Sequence, residues 1–220
     1  MRSALQAAAP IILGYVAIGI PCGILSDSIG LSWLQAFLLS VLFYSGAGQF
    51  MFANMWLAGS PIASIVASIS LVNTRQMLYS AAFAPACRGV GKGLSFLFAA
   101  TVTDESYGVN VQRFSEGGWS VAKATLVNVF SMSSWAVSNA VGALVGSAIG
   151  IPLAIASFAM TSIFICLLVT QRATVENIVA AGVAVLGVFL CKCAGLTGPA
   201  ILVGAVAGVV AAMVASWARR

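Results

Sequence analysis

The chain has 220 residues, 61% of them hydrophobic and 7% charged, with a net charge of +5 and a mean hydropathy of +1.06. Soluble domains hold about 45–50% apolar and about 25% charged residues, so a water-exposed fold is excluded and an all-α, polytopic membrane protein is expected, with residues 1–220 forming a single transmembrane domain. Apart from the adjacent Arg219 and Arg220, the Lys and Arg residues are spread singly, which excludes a basic nucleic-acid surface and makes them markers of topology.

About 20 apolar residues cross a bilayer, and polar punctuation divides the chain into eight apolar segments. They run over about residues 7 to 26, 32 to 58, 61 to 87, 93 to 112, 121 to 149, 152 to 170, 174 to 191 and 195 to 217. The first follows Arg2 and is too long for a signal-peptide core, so an uncleaved helix is expected. Pro10 and Pro21 interrupt it, and Gly19 and Gly23 form a four-residue step that lets another helix approach.

The second segment holds FYSGAGQFMFANMW, Phe43 to Trp56. Ser45, Gly46 and Gly48 bring small residues together, with a helix break expected at the two glycines and Gln49 just beyond it offering both donors and acceptors. This pattern suits either a small polar ligand or a packing seam with Gln49 bonded to a neighbouring helix. The third segment contains SLVNTRQMLYSAAF, with Asn73, Arg75 and Gln76 in apolar surroundings, and ends at Pro85. In the fourth, TVTDESYGV places Asp104 and Glu105 within the segment.

The fifth segment carries the steps Gly142–Gly146 and Gly146–Gly150, and the eighth opens on LTGP (196 to 199) and carries Gly204 and Gly208. These steps are expected to be packing seams. Cys22, Cys87 and Cys166 stand isolated, and Cys191-Lys192-Cys193 at the end of the seventh segment reads as packing residues rather than a metal pair. No metal and no cofactor is expected.

Eight crossings with the amino terminus inside put Arg2, Arg113, Lys123, Arg172, Arg219 and Arg220 on the cytoplasmic side and Arg88, Lys92 and Lys192 outside, with both termini cytoplasmic. If segments three and four re-enter instead of spanning, Arg88 and Lys92 move inside and the bias improves. Six to eight crossings with broken or re-entrant helices therefore remain open.

Arg75, Asp104 and Glu105 carry the chemistry. An ionised group at bilayer depth costs at least about 2.5–3.5 kcal/mol, so it must face the protein interior and find a partner. Arg75 is expected to pair with one of the two acids, with Asn73 available to hold the guanidinium. Adjacent helical positions point about 100° apart, so the second acid faces elsewhere. Lining a cavity, it would be placed to carry a proton. The alternative is that the segment is shorter and both acids sit at a wet boundary.

Enzymatic classes are excluded by composition. There is no histidine, which removes Ser-His hydrolysis and HExxH metalloprotease chemistry, and no GxxxxGK[ST] loop for nucleotide hydrolysis. The chain is therefore expected not to be an enzyme, and transport powered by an ion gradient is the leading class.

Several of these residues also form a family pattern. Pro10, Gly14, Tyr15, Gly19 and Gly23, SGAGQF at 45 to 50, Asn73-x-Arg75 followed by Leu78 and Tyr79, and TDES at 103 to 106 resemble the AzlC-type large subunits of bacterial branched-chain amino acid permeases. The resemblance covers most of the chain and is specific mainly in its first half. It implies an inner-membrane exporter of valine, leucine, isoleucine and sometimes methionine, working with a small AzlD-type membrane subunit. It further suggests Arg75 or a broken-helix amino terminus for the substrate carboxylate and Asp104 or Glu105 for the ammonium, with Phe43, Phe50 or Met51 near the apolar side chain. Members often carry histidine directly after the arginine, where this chain has Gln76, so a proton step here would fall to Asp104 or Glu105. Alternatives are a permease for another small amino acid or metabolite, and a non-transporting membrane scaffold.

Overall fold

The computed structural model describes residues 1–149, 174–196 and 200–218, with a few single positions between 154 and 169. The segment expected over 152 to 170, Gly150, Cys166, most of LTGP, and Arg172, Arg219 and Arg220 lie outside the described residues. Every regular element described is helical: α1 (Arg2–Ser28), α2 (Trp33–Leu42), α3 (Gly46–Leu57), α4 (Ile62–Ala82), α5 (Lys92–Ala100), α6 (Asp104–Glu116), α7 (Val121–Ile149), α8 (Val175–Cys193) and α9 (Ala200–Trp217). Among the described residues, α1, α7 and α8 are long and apolar enough to cross a membrane.

Three expectations need correction. The helix α1 runs unbroken through Pro10 and Pro21, although each proline removes an N–H from the helical ladder and leaves the carbonyl four residues earlier without its usual partner. Packing of this helix on α7 outweighs that loss. The second segment is two helices, and its break lies at residues 43–45, with Gly46 and Gly48 inside the first turn of α3. The fourth segment is also two helices, broken at residues 101–103, so Asp104 and Glu105 open α6 and do not sit in mid-helix.

Both breaks have the same local cause. The Ser45 hydroxyl accepts from the N–H of Gly48 at 3.1 Å, and Thr103 caps α6 in a reciprocal box with Ser106. A hydroxyl at the N-cap satisfies a backbone donor that the new helix leaves orphaned, which makes a restart affordable inside an apolar bundle.

The described residues fall into two compact units, one of residues 1–54 and 73–160, the other of 55–72 and 161–220. In the first, α7 packs on α1, α2, α5 and α6. Its buried stripe returns every seventh residue at Val121, Asn128, Trp135 and Gly142, with Ala124, Ser131 and Ser138 between them, the spacing of a helix that keeps one face to its neighbours. At the far end the backbones of α1 and α7 meet: a Cβ on Gly23 would strike the Asn139 carbonyl, and one on Gly142 would strike that of Ile20.

In the second unit α8 packs on α9 by the same device. A Cβ on Gly204 would lie 2.7 Å from the Ala184 carbonyl, and one on Gly208 would lie 2.6 Å from that of Ala180. The helix α8 has Glu176 in its first turn and Lys192 in its last, both matched to the helix dipole.

Candidate functional site

The two breaks, α1 and α4 gather one partly buried polar cluster in the first unit. On the break before α3, the Ser45 hydroxyl donates to Asn73 Oδ1 on α4 at 2.7 Å, and the backbone carbonyl of Tyr44 accepts from the Gln76 side chain at 3.4 Å. Two residues along α4 from Asn73, Arg75 Nη2 lies 2.8 Å from Asp104 Oδ2, with side chains 31% and 26% exposed. The pair is sheltered yet reachable.

Glu105 is exposed and points elsewhere. Its Oε2 accepts from the Tyr15 hydroxyl of α1 at 2.6 Å, and that hydroxyl also lies 2.9 Å from Thr103 Oγ1. Glu105 makes no ion pair among the described residues. The divergence follows from helix geometry, because neighbours on α6 leave the axis about 100° apart. Tyr15 in turn meets Tyr44 edge-on, with ring centroids 6.4 Å apart. Contacts and chain neighbours thus close a ring: Tyr44 and Ser45, Asn73 and Arg75, Asp104 and Glu105, then Tyr15.

Each break is fastened from α7. Trp135 Nε1 donates to Gln49 Oε1 at 3.1 Å, and Gln49 Nε2 donates to the Phe43 carbonyl at 2.7 Å, so the tryptophan steadies the first break through the glutamine. Asn128 acts on the second break directly, donating to the Phe98 carbonyl at 3.3 Å and to Thr101 Oγ1 at 3.2 Å, while its own Oδ1 accepts from Asn110 at 3.1 Å. These carbonyls end α2 and α5, where helices leave acceptors without intrahelical partners. An aromatic cluster of Phe83, Phe98, Tyr107 and Phe114 packs around the second break, with centroids 5.2–5.6 Å from Phe83.

The site residues expected from sequence therefore separate by role. Arg75 joins Asp104, and Ser45 joins Asn73, which takes the serine hydroxyl rather than the guanidinium. Gln49 is buried, and its Oε1 accepts from Trp135, from Ser40 at 3.3 Å and from the Cys22 thiol at 3.7 Å. Its polar atoms are thus used inside the protein, as in the packing alternative. Gly46 and Gly48 make room: a Cβ on the first would lie 3.2 Å from the Trp135 ring, and one on the second 2.7 Å from the Phe43 ring. Phe50 is fully buried in the core cluster with Tyr15, Cys22 and Trp135.

Sequence reasoning singled out neither Tyr44, Asn128 nor Trp135. The signals that mark them are a hydroxyl next to the Ser45 cap and a seven-residue spacing on α7.

Paired charge beside two capped helix breaks, inside a bundle this apolar, marks a helical membrane protein with a sheltered polar cluster. The chain belongs to the AzlC family, whose model, described as AzlC protein, matches residues 10–149, the stretch that contains the whole ring and both fastenings. It is 29% identical over 175 residues to the branched-chain amino acid transport protein AzlC of Bacillus subtilis, covering 77% of this chain and 67% of that one. It is 28% identical over 150 residues to the inner membrane protein YgaZ of Escherichia coli, covering 63% and 58%. An uncharacterized membrane protein of Helicobacter pylori is 29% identical over 168 residues, covering 76% and 73%. No solved structure gives a significant match to the chain.

Proposed function

We propose that this chain is the large subunit of a bacterial cytoplasmic-membrane exporter of branched-chain amino acids, driven by the proton gradient and working with a small AzlD-type membrane subunit. The observation that carries the proposal is the Arg75–Asp104 pair with Glu105 left outside it. A branched-chain amino acid is a zwitterion with an apolar side chain, so its site needs one cation and one anion held in place within greasy walls. Arg75 and Asp104 are such a couple, and the Bacillus subtilis relative is named for branched-chain amino acid transport.

Glu105 is the proton carrier in this scheme. As a carboxylate it accepts the Tyr15 hydroxyl; with a proton on Oε2 it no longer accepts there, and Tyr15 keeps Thr103 as its partner. Protonation therefore changes what ties α1 to the start of α6, while Asp104 stays with Arg75.

The test is efflux of radiolabelled valine, leucine and isoleucine from loaded cells at two external pH values, with and without the small subunit co-expressed. Export that rises with external acidity, and that requires the subunit, is the expected result. Wild-type export with Arg75→Ala, Asp104→Asn and Glu105→Gln all normally inserted would overturn the assignment.

A further inference from the structure

The Tyr44 hydroxyl is buried and has no hydrogen-bond partner among the described residues. Buried polar atoms are nearly always satisfied, so an orphan at the first break calls for an explanation. Its neighbours are the hydroxyls of Tyr15 and Thr103 and the carboxylate of Glu105, and the Tyr15 and Tyr44 rings meet edge-on. Three hydroxyls thus gather about one acid, and Tyr44 alone among them is idle.

Counting hydrogens fixes the direction of the bonds that are made. A phenol has one O–H to give. Tyr15 spends it on Glu105 Oε2 at 2.6 Å, so across the 2.9 Å contact between Tyr15 and Thr103 the threonine is the donor. This arrangement suits an ionised Glu105, whose oxygens only accept.

A proton on Glu105 Oε2 turns that oxygen into a donor and displaces the Tyr15 hydrogen, which then needs another acceptor. Two are adjacent. Turning to Thr103 would push the threonine's own hydrogen toward Ser106 Oγ, 3.4 Å away and outside the usual O–H···O range of about 2.5–3.0 Å. The Tyr44 oxygen has no hydrogen bond to give up.

We propose that Tyr44 is the alternative acceptor for Tyr15: the Tyr15 hydroxyl donates to Glu105 while the acid is ionised and to Tyr44 once it is protonated. Tyr44 is then a positioning residue for the proton step, which rests on Glu105 being the proton carrier. Protonation moves the tie of α1 from the second break to the first, so one hydrogen atom links the two. The other charged and titratable groups around Glu105 are committed elsewhere. Asp104 on the same helix pairs with Arg75 of α4, and Tyr79 of α4 lies beside that pair, stacked on Tyr107. From α7, Trp135 packs on the Tyr15 ring, while Lys123 reaches the Gly118 carbonyl.

The experiment titrates Glu105 in the purified full chain by infrared difference spectroscopy, using the carboxyl C=O band that disappears in Glu105→Gln. Tyr44→Phe strands the Tyr15 hydrogen in the protonated state, so the midpoint should move about one pH unit to the acid side. Tyr15→Phe removes the bond to the carboxylate, so the midpoint should move about one pH unit to the alkaline side. Without the Tyr15 hydroxyl Tyr44 has nothing to receive, and the double variant should titrate like Tyr15→Phe alone. A general loosening of the fold does not give opposite shifts. An unmoved midpoint in Tyr44→Phe, a shift to the alkaline side, or additive effects in the double variant overturns the proposal. Valine efflux across external pH separates it from the transport assignment. If the Glu105 band shifts as expected while efflux ignores pH, proton driving fails and the role of Tyr44 stands. If Glu105 takes up no proton across the pH range in which the wild-type chain stays folded, both fail.

Discussion

The two helix breaks share a plan and differ in content. Each joins a helix of nine or ten residues to one of twelve or thirteen through three residues, and each restarts at a hydroxyl cap. The first carries no charge and is closed in on itself, since Gln49 uses its amide on Phe43, Ser40, Cys22 and Trp135. The second opens directly onto two carboxylates at the start of α6. Similar backbones thus serve as wall and as working face, and what separates them is which polar side chains are already occupied.

The comparison predicts a graded set of outcomes. The largest effect falls on the second break's partner: Arg75→Ala leaves Asp104 without its cation, and valine efflux should drop by about a hundredfold or more with membrane abundance retained. Next come the two acids, which should part company. Asp104→Asn should lose efflux at every pH, whereas Glu105→Gln should keep valine binding and lose the dependence of efflux on external pH. Identical pH profiles for the two variants would break the division of labour between them.

The smaller effects test the fastenings. Asn128→Leu strips partners from the Phe98 carbonyl, Thr101 and Asn110 together, and should cost about 2–3 kcal/mol of stability, read as a lower melting temperature in detergent. Trp135→Phe removes one of three donors to Gln49 Oε1, so a loss of only about 1 kcal/mol is expected at the first break. A reversal of that order would mean that the first break depends more on its fastening to α7 than the second does.

That Arg75 pairs with one of the two adjacent acids was legible in the sequence because charge is scarce there and expensive in lipid, which leaves few possible partners; which acid it takes was not. The divergence of the two acids was legible as well, from the angle between helical neighbours. The breaks were misplaced because hydropathy stays high across both of them, and glycine drew attention away from the caps. Ser45 and Thr103 were the better markers, since a hydroxyl residue able to cap the backbone that follows is a helix-start signal even within an apolar run. Gln49 shows the opposite limit: an amide in a sequence advertises hydrogen bonds without saying whether a ligand or the protein uses them. The continuity of α1 through two prolines was not readable locally, because the compensation lies on α7, more than a hundred residues away.

The seven-residue spacing of Asn128 and Trp135 has a mechanical consequence. Both contacts ride on one rod, two turns apart on the same side, with Gly142 pressed against α1 beyond them. The rod acts as a camshaft: any turn of α7 about its own axis carries both fastenings off their seats together, so neither break is released by that motion without the other.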